Sequence, residues 1–388
     1  MKGARLVCLL LIILLSFSMS GVAFASEDWD EQARELGIGE DLAAIEEFLK
    51  ENLDAPEQAG LSFGELIQLL LAGDLRAILQ KVGYFLANAL GAEVAFGSRL
   101  LLQVAVIGIF GAVFGNFSCA FSGGNVSEAG FFVTYLLLFS YLGASFFSSL
   151  SIAQTVLEQG LSFLKLLMPA YFMAAAFAGG SLSAAALYEA MSAGAALIQW
   201  LCGGILLEAV KVDALLVLAG HITREELLEK LRELLEQGVS WSLKTLVGLV
   251  LGMQLLTGLV TPYADSAKQA GVRKVFEMIP GIGQGAGALA QLVLGSGVLV
   301  KNSIGAAGVL VLVVIALIPV LKLLLLMVSC QLAAALMQPV CDRRIVSCVS
   351  GIAKAHALLL WVVLTALLIQ VLSIALTCAA TNVNYYTV

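Results

Sequence analysis

Charge is scarce in this chain and histidine nearly absent. Of 388 residues, 13% are charged and two are histidines, His221 and His356, while 60% are hydrophobic. Ordinary soluble domains carry about 25% charged residues, so a soluble core cannot absorb this apolar excess. The Lys and Arg residues are scattered singly or in pairs between apolar runs. That leaves no basic patch and argues against nucleic acid as a partner. No Cys-x-x-Cys occurs among the seven cysteines, most of which lie in apolar runs where a thiol behaves as a small hydrophobe. No metal site, disulfide framework or cofactor is expected. His-Glu-x-x-His and the phosphate-binding Gly-Lys-Ser/Thr ending are also missing, so neither a zinc protease nor an ATPase is indicated. The chain reads as a non-enzyme.

What is present begins with the three parts of an export signal. Lys2 and Arg5 precede an apolar run from Leu6 to Leu15, and Ala23-Phe24-Ala25 suits signal peptidase. A signal peptide over 1–25 is expected, which would start Ser26 on the far side of the membrane. From Ser26 to Glu57 there are twelve acids against Arg34 and Lys50. The region 26–99 reads as acidic, extracytoplasmic and helical. Leu42, Ile45, Phe48 and Leu49 share one helical face, Ser62 and Glu65 have capping-box spacing, and Leu75, Ile78, Leu79, Val82, Phe85 and Leu86 form a further stripe. That stripe is either the core of a small helical domain or a face lying on the membrane.

From Leu100 onward nine stretches lack Asp, Glu, Lys and Arg, and about 20 apolar residues are enough to span the hydrocarbon. They cover 100–127, 129–157, 166–188, 190–207, 245–264, 278–300, 302–321, 323–341 and 355–388. Backbone groups in lipid must be satisfied internally, and the runs are too long and too unalternating for barrel strands, so they are helices. The expected fold is an all-α polytopic membrane protein. It comprises a bundle of about eight transmembrane helices over 100–388, the N-terminal extracytoplasmic helical region, and a Gly-rich segment at 278–300 that can dip in and return.

The positive-inside rule then places Lys268, Arg273, Lys274, Lys301, Arg343, Arg344 and Lys354 inside, and leaves Lys211, Arg224, Lys230 and Arg232 outside. Between them Thr223 and Glu226 form a second capping box. It precedes a charged amphipathic helix at 222–237, which is either a surface helix on its own bundle or a docking face for a partner.

Two sets of residues stand out as candidates. Gly281, Gly283, Gly285, Gly287, Gly295 and Gly297 follow Pro280 without the strand, acidic residue or Lys of a nucleotide-binding loop. In a membrane such glycines allow close helix packing or line a conduit; Gly111/Gly115 and Gly248/Gly252 have the same four-residue spacing. Glu189 and Lys322 separate adjacent apolar runs, as intramembrane charges or as markers of turns. So few buried carboxylates and histidines argue against a proton-coupled pump.

The order of these features resembles the stage III sporulation protein AE family of endospore-forming bacteria. The residues that carry the resemblance start with Met168-Pro169, Gly179-Gly180-Ser181-Leu182-Ser183-Ala184-Ala185 and Pro280-Gly281-Ile282-Gly283. They continue with Lys301-Asn302 before Gly305 and Gly308, Pro319 with Lys322, and Gln338-Pro339. The resemblance implies a subunit of a mother-cell to forespore channel complex, in the mother-cell membrane around the forespore. Its partners there would be the lipid bilayer and the other stage III A-operon membrane proteins. It implies no catalytic residues. A stand-alone secondary transporter, with its substrate site at interrupted helices near Gly281, is the alternative reading.

Overall fold

The computed structural model describes residues 37–52, 62–121, 125–178, 181–220, 229–277 and 283–382. The signal segment, Gly281 and the Thr223/Glu226 capping box lie outside them. Among the described residues there is no strand. Helices α1 (Gly39–Asn52) and α2 (Phe63–Leu71) are short. The rest are α3 (Leu75–Phe121), α4 (Asn125–Phe177), α5 (Ser181–Ile198), a π-helical stretch (Gln199–Leu206), α6 (Leu207–Gly220), α7 (Glu229–Glu277), α8 (Gly283–Met337) and α9 (Arg343–Asn382).

Long helices are the physical outcome of a sequence whose charges are too sparse to stop them. The 53-residue α4 runs through Glu158, Lys165 and Pro169, and the 55-residue α8 through Lys301, Pro319 and Lys322. Glu158, Lys165, Lys301 and Lys322 separate apolar runs in the sequence and the two prolines fall within runs, yet none bends the chain back. The expected runs 278–300, 302–321 and 323–341 therefore merge, from Gly283 onward, into one helix. Likewise the boundary expected at residue 99 falls inside α3. Four helices among the described residues are long and apolar enough to cross a membrane: Glu128–Phe177, Glu229–Thr261, Gly297–Met337 and Arg343–Asn382. The described residues do not confirm the expected count of about eight, since single charges within them do not end helices. At 1.5 Å per residue α8 is about 80 Å long against a hydrocarbon core of about 30 Å, so it extends well beyond the bilayer.

Directions follow from paired contacts. Helices α4 and α9 run parallel: Arg344 stacks over the Phe131 ring at 3.6 Å, Tyr135 meets Cys348 at 3.7 Å, Phe146 packs edge-on to His356 at 5.6 Å, and Tyr171 bonds Thr381 at 3.0 Å. Helix α8 runs antiparallel to α9, with Lys301 against Thr381 and Asn302 against Asn382 at the end opposite the 338–342 turn. We refer to the two ends of this bundle as the Asp342 end and the Thr381 end. Helix α6 reaches the Asp342 end, where the Tyr135 hydroxyl donates to the Leu218 carbonyl at 2.5 Å. Helix α7 leaves that end and passes Ser373 through Gln254 at 2.8 Å.

Small residues set the spacing. A Cβ on Gly308 would overlap Leu167, one on Gly305 would overlap Cys378, and one on Gly111 would overlap Thr134, so α8, α4, α9 and α3 approach at backbone distance. Gly248 and Gly252 instead have nothing within 4 Å. Their spacing is that of a packing motif, but their face points outward. Hydroxyls within the apolar helices bond back to the carbonyl four residues earlier, as at Thr134, Ser149, Thr257, Thr377 and Thr381, which satisfies them without a partner helix.

The N-terminal helices pack on the bundle. Ile45 and Leu49 of α1 are buried, Phe48 and Phe63 lie 6.1 and 6.5 Å from the Phe163 ring of α4, and Gln159 bonds Asn52 at 3.1 Å. Ser62 caps α2 as its spacing predicts, accepting from the Glu65 amide at 3.4 Å. The reciprocal carboxylate comes from α1: Glu46 accepts from the Ser62 hydroxyl at 2.6 Å and the Gly64 amide at 3.0 Å. Glu65 is left to pair with Lys81 at 2.5 Å.

The close approach at Gly308 is directly testable. Gly308→Val should lower stability by about 1–3 kcal/mol, the usual cost of overpacking. Gly248→Ala, in open space, should leave it unchanged or raised by under about 1 kcal/mol. Thermal unfolding of the detergent-purified protein reads both.

Candidate functional site

The candidate residues named from the sequence do not assemble into one site. Gly283, Gly285 and Gly287 lie in the first turns of α8, and Gly295 is half-buried in the same helix. Gly297 backs onto α4, where an added Cβ would lie 3.3 Å from the Ala178 Cα. Glu189 is exposed within α5 and Lys322 half-buried within α8. Both are ordinary helical positions, not turns.

Two groups of buried polar side chains stand at the two ends of the bundle, while His356, Gln370 and the Gln254/Ser373 pair are buried between them. At the Thr381 end Lys301 is 1% exposed and donates to the Thr381 carbonyl at 2.6 Å. That carbonyl belongs to the last turn of α9, where backbone acceptors lack intrahelical donors and the helix dipole is negative. Around it the Tyr171 hydroxyl bonds Thr381 at 3.0 Å, and Asn382 bonds Asn302 at 3.2 Å. Lys301 thus seals the end of α9 against α8. Read from the sequence, Lys301 marks a gap between apolar runs; the signal for its role is the adjacent Lys-Asn pair, two strong polar groups with no turn residue beside them.

At the Asp342 end an ion-pair cluster is anchored by Asp213, which is wholly buried in α6. Arg232 of α7 reaches Asp213 at 3.2 Å and Glu236 at 3.4 Å. Burial raises the Asp213 carboxyl above its ordinary range, and Arg232 and Lys354 pull it back. Beside the cluster a cavity of about 460 Å³ opens between α6, α7, α8 and α9. Glu229 and Arg232 line it from α7, Gln331 from α8, Gln338 from the turn after it, and Arg343, Ser347, Ser350 and Lys354 from α9.

This cavity overturns the expected topology. Arg232 was expected outside and Arg343 and Lys354 inside, yet all three line one space at one end of the bundle. Lys301, expected on the same side as Arg343, sits at the opposite end. The error is one of parity: Lys301 and Lys322 were taken to end spans, and α8 passes through both.

No catalytic constellation is brought together among the described residues. Among the described residues no three His, Cys, Asp or Glu side chains group as a metal ion would require. Cys202, Cys330, Cys341, Cys348 and Cys378 are unpaired thiols. His356 is buried between α4 and α9, its Nδ1 2.8 Å from the Ile352 carbonyl. Gly60-Leu61-Ser62-Phe63-Gly64 fits the Gly-x-Ser-x-Gly signature of hydrolases, a match the sequence reading did not take up. The structure uses Ser62 as a helix cap bonded to Glu46.

A sequence model of the stage III sporulation protein AE family matches residues 61–381. The chain belongs to this family. The match takes in all of the long helices and both polar ends, and makes the chain a sporulation membrane protein. It is similar to the stage III sporulation protein AE of Bacillus subtilis (strain 168), with 25% identity over 268 residues, 68% of this chain and 66% of that protein. The chain thus spans just under two thirds of the length of that relative. No solved structure matches.

The Asp213 cluster makes a sharp energetic demand. Arg232→Ala should cost about 3 kcal/mol or more, because it leaves a carboxylate buried without its cation. Adding Asp213→Leu should return most of that loss. Thermal unfolding of the two single variants and the double variant measures the coupling.

Proposed function

We propose that the chain is a non-enzymatic, multi-span membrane subunit of the mother-cell to forespore transenvelope channel complex, needed for endospore formation and late forespore gene expression. The family match over residues 61–381 carries this reading. Two structural features support it. Long apolar helices fill the bundle, and Lys301 and the Asp213/Arg232 pair serve to close a helix end and to pair ions. In this role the chain sits in the mother-cell membrane around the forespore and assembles with other stage III A-operon membrane proteins. Nothing specific favours the transporter reading, and Gly281, near which its interrupted helix is expected, lies outside the described residues.

Orientation is part of the proposal. Lys211, Lys230, Arg232, Arg343, Arg344 and Lys354 lie toward the Asp342 end, so the positive-inside rule assigns that end to the mother-cell cytoplasm. The signal peptide and acidic N-terminal region then fall on the other side, where α3 starts and partner proteins from the intermembrane space can reach α1 and α2.

Deleting the gene in a spore-forming host should arrest development after engulfment, and the wild-type gene supplied in trans should restore spores. Normal spore yield in the deletion strain would refute the role. In a cysteine-free version, Gln68→Cys should react with a membrane-impermeant maleimide in intact cells and Val340→Cys should not.

A further inference from the structure

The cavity at the Asp342 end has chemistry that neither packing nor the sporulation role explains. On α9 the residues Arg343, Ser347, Ser350 and Lys354 line it. Their spacing of four, three and four residues makes one continuous stripe. Gln331 of α8 and Gln338 of the turn that follows it line the space along with the small Ala334 and Ala335. A helix pair inside a membrane bundle gains most from small or apolar contacts, and elsewhere α8 and α9 make them. Here they part around a space of about 460 Å³, within the roughly 300–1,000 Å³ range of small-ligand sites.

The lining also has a sign. Among the described lining residues, Arg232, Arg343 and Lys354 face a single carboxylate, Glu229, and every other polar side chain can donate a hydrogen bond. The Arg232 guanidinium is already fixed by Asp213 and Glu236, which makes it a positioned wall. Arg343 and Lys354 are exposed on the α9 stripe and able to close on a ligand. Three cations with amide and hydroxyl donors would repel a metal ion and suit a tetrahedral oxyanion, which accepts several charge-assisted hydrogen bonds at once.

We infer that this cavity binds a phosphate-type oxyanion. The surface beside it points to the head group of an anionic membrane lipid as the source. Leu332 and Leu336 of α8, Val340 of the following turn, and Val212 and Leu215 of α6 are all exposed next to the lining positions. They offer an apolar track for acyl chains leading from a basic pocket between helices.

The test uses full-length protein, delipidated in neutral detergent, titrated separately with phosphatidylglycerol, phosphatidylcholine and inorganic phosphate. Thermal unfolding and native mass spectrometry are the readouts. Phosphatidylglycerol should stabilise the protein and be retained as an adduct more strongly than phosphatidylcholine. The R343Q/K354Q variant should bind it at least about tenfold more weakly. E229Q, which removes the one opposing charge on the lining, should bind it more tightly, a gain that misfolding cannot imitate. K165Q/K244Q removes two exposed lysines elsewhere and should bind like wild type. Response to phosphatidylglycerol assigns the anion to a lipid and response to inorganic phosphate alone assigns it to a free ion; either supports the site. Unchanged binding in both R343Q/K354Q and E229Q, or an equal loss in K165Q/K244Q, overturns it. So does the absence of any response to both anions. None of these outcomes depends on the chain's role in sporulation.

Discussion

The constraint on which the rest depends is the hydrogen bonding of the backbone in hydrocarbon. An unpaired N–H or C=O in lipid costs several kcal/mol, whereas an occasional Lys or Glu on a helix can extend its stem toward the interface. The chain therefore keeps the helix and tolerates the charge. Helix α8 passes through Lys301 and Lys322, and α4 through Glu158 and Lys165, without a turn. Once helices are this long they lie alongside one another for many turns, and glycine becomes decisive. At Gly308, Gly305 and Gly111 the neighbour already occupies the place of a Cβ. With lipid as apolar as the core, such close packing substitutes for the hydrophobic drive available to soluble bundles.

The same constraint accounts for where polarity collects. The last carbonyls of a helix have no intrahelical donor, and two of these ends are closed by side chains from neighbours: Tyr135 on the Leu218 carbonyl and Lys301 on the Thr381 carbonyl. Each closure ties two helices together at a fixed depth. Asp213 and Arg232 do the same between α6 and α7. A buried ion pair of this kind adds little net stability over an apolar pair, yet is costly to break. It fixes register more than it adds strength.

Much of the fold could be read in the sequence, because composition and run length determine helix in a membrane. The Ser62/Glu65 spacing located the start of α2, and Leu42, Ile45, Phe48 and Leu49 located the inner face of α1. What could not be read was where helices end. A charge between two apolar runs carries the same letters whether it marks a turn, as Asp342 does before α9, or a helix interior, as Lys322 does. The difference lies in neighbours: Asp342 accepts from the Arg344 amide two residues on at 2.8 Å, and Lys322 stands in an unbroken helix. The polar ends were illegible for a related reason. Arg232, Arg343 and Lys354 are far apart along the chain and meet only because α7 and α9 both begin at the same end of the bundle.

Helix length also bears on how such a protein can act. A span needs about 20 residues, and α3, α4, α7 and α8 have 47 to 55. The surplus turns place helical surface outside the bilayer, on rods whose position is set by packing within it. A protein without an assembled catalytic site can still transmit or hold geometry across a membrane if its ends are rigidly coupled. The parallel contact of α4 with α9, from Phe131 and Arg344 to Tyr171 and Thr381, provides such coupling over roughly 55 Å of helix. It links the Asp213 cluster with its basic cavity to the Lys301 closure. Helices α8 and α9 both line the cavity at the Asp342 end and form the Lys301 closure at the Thr381 end, so a change in their spacing at one end is carried by the same two helices to the other.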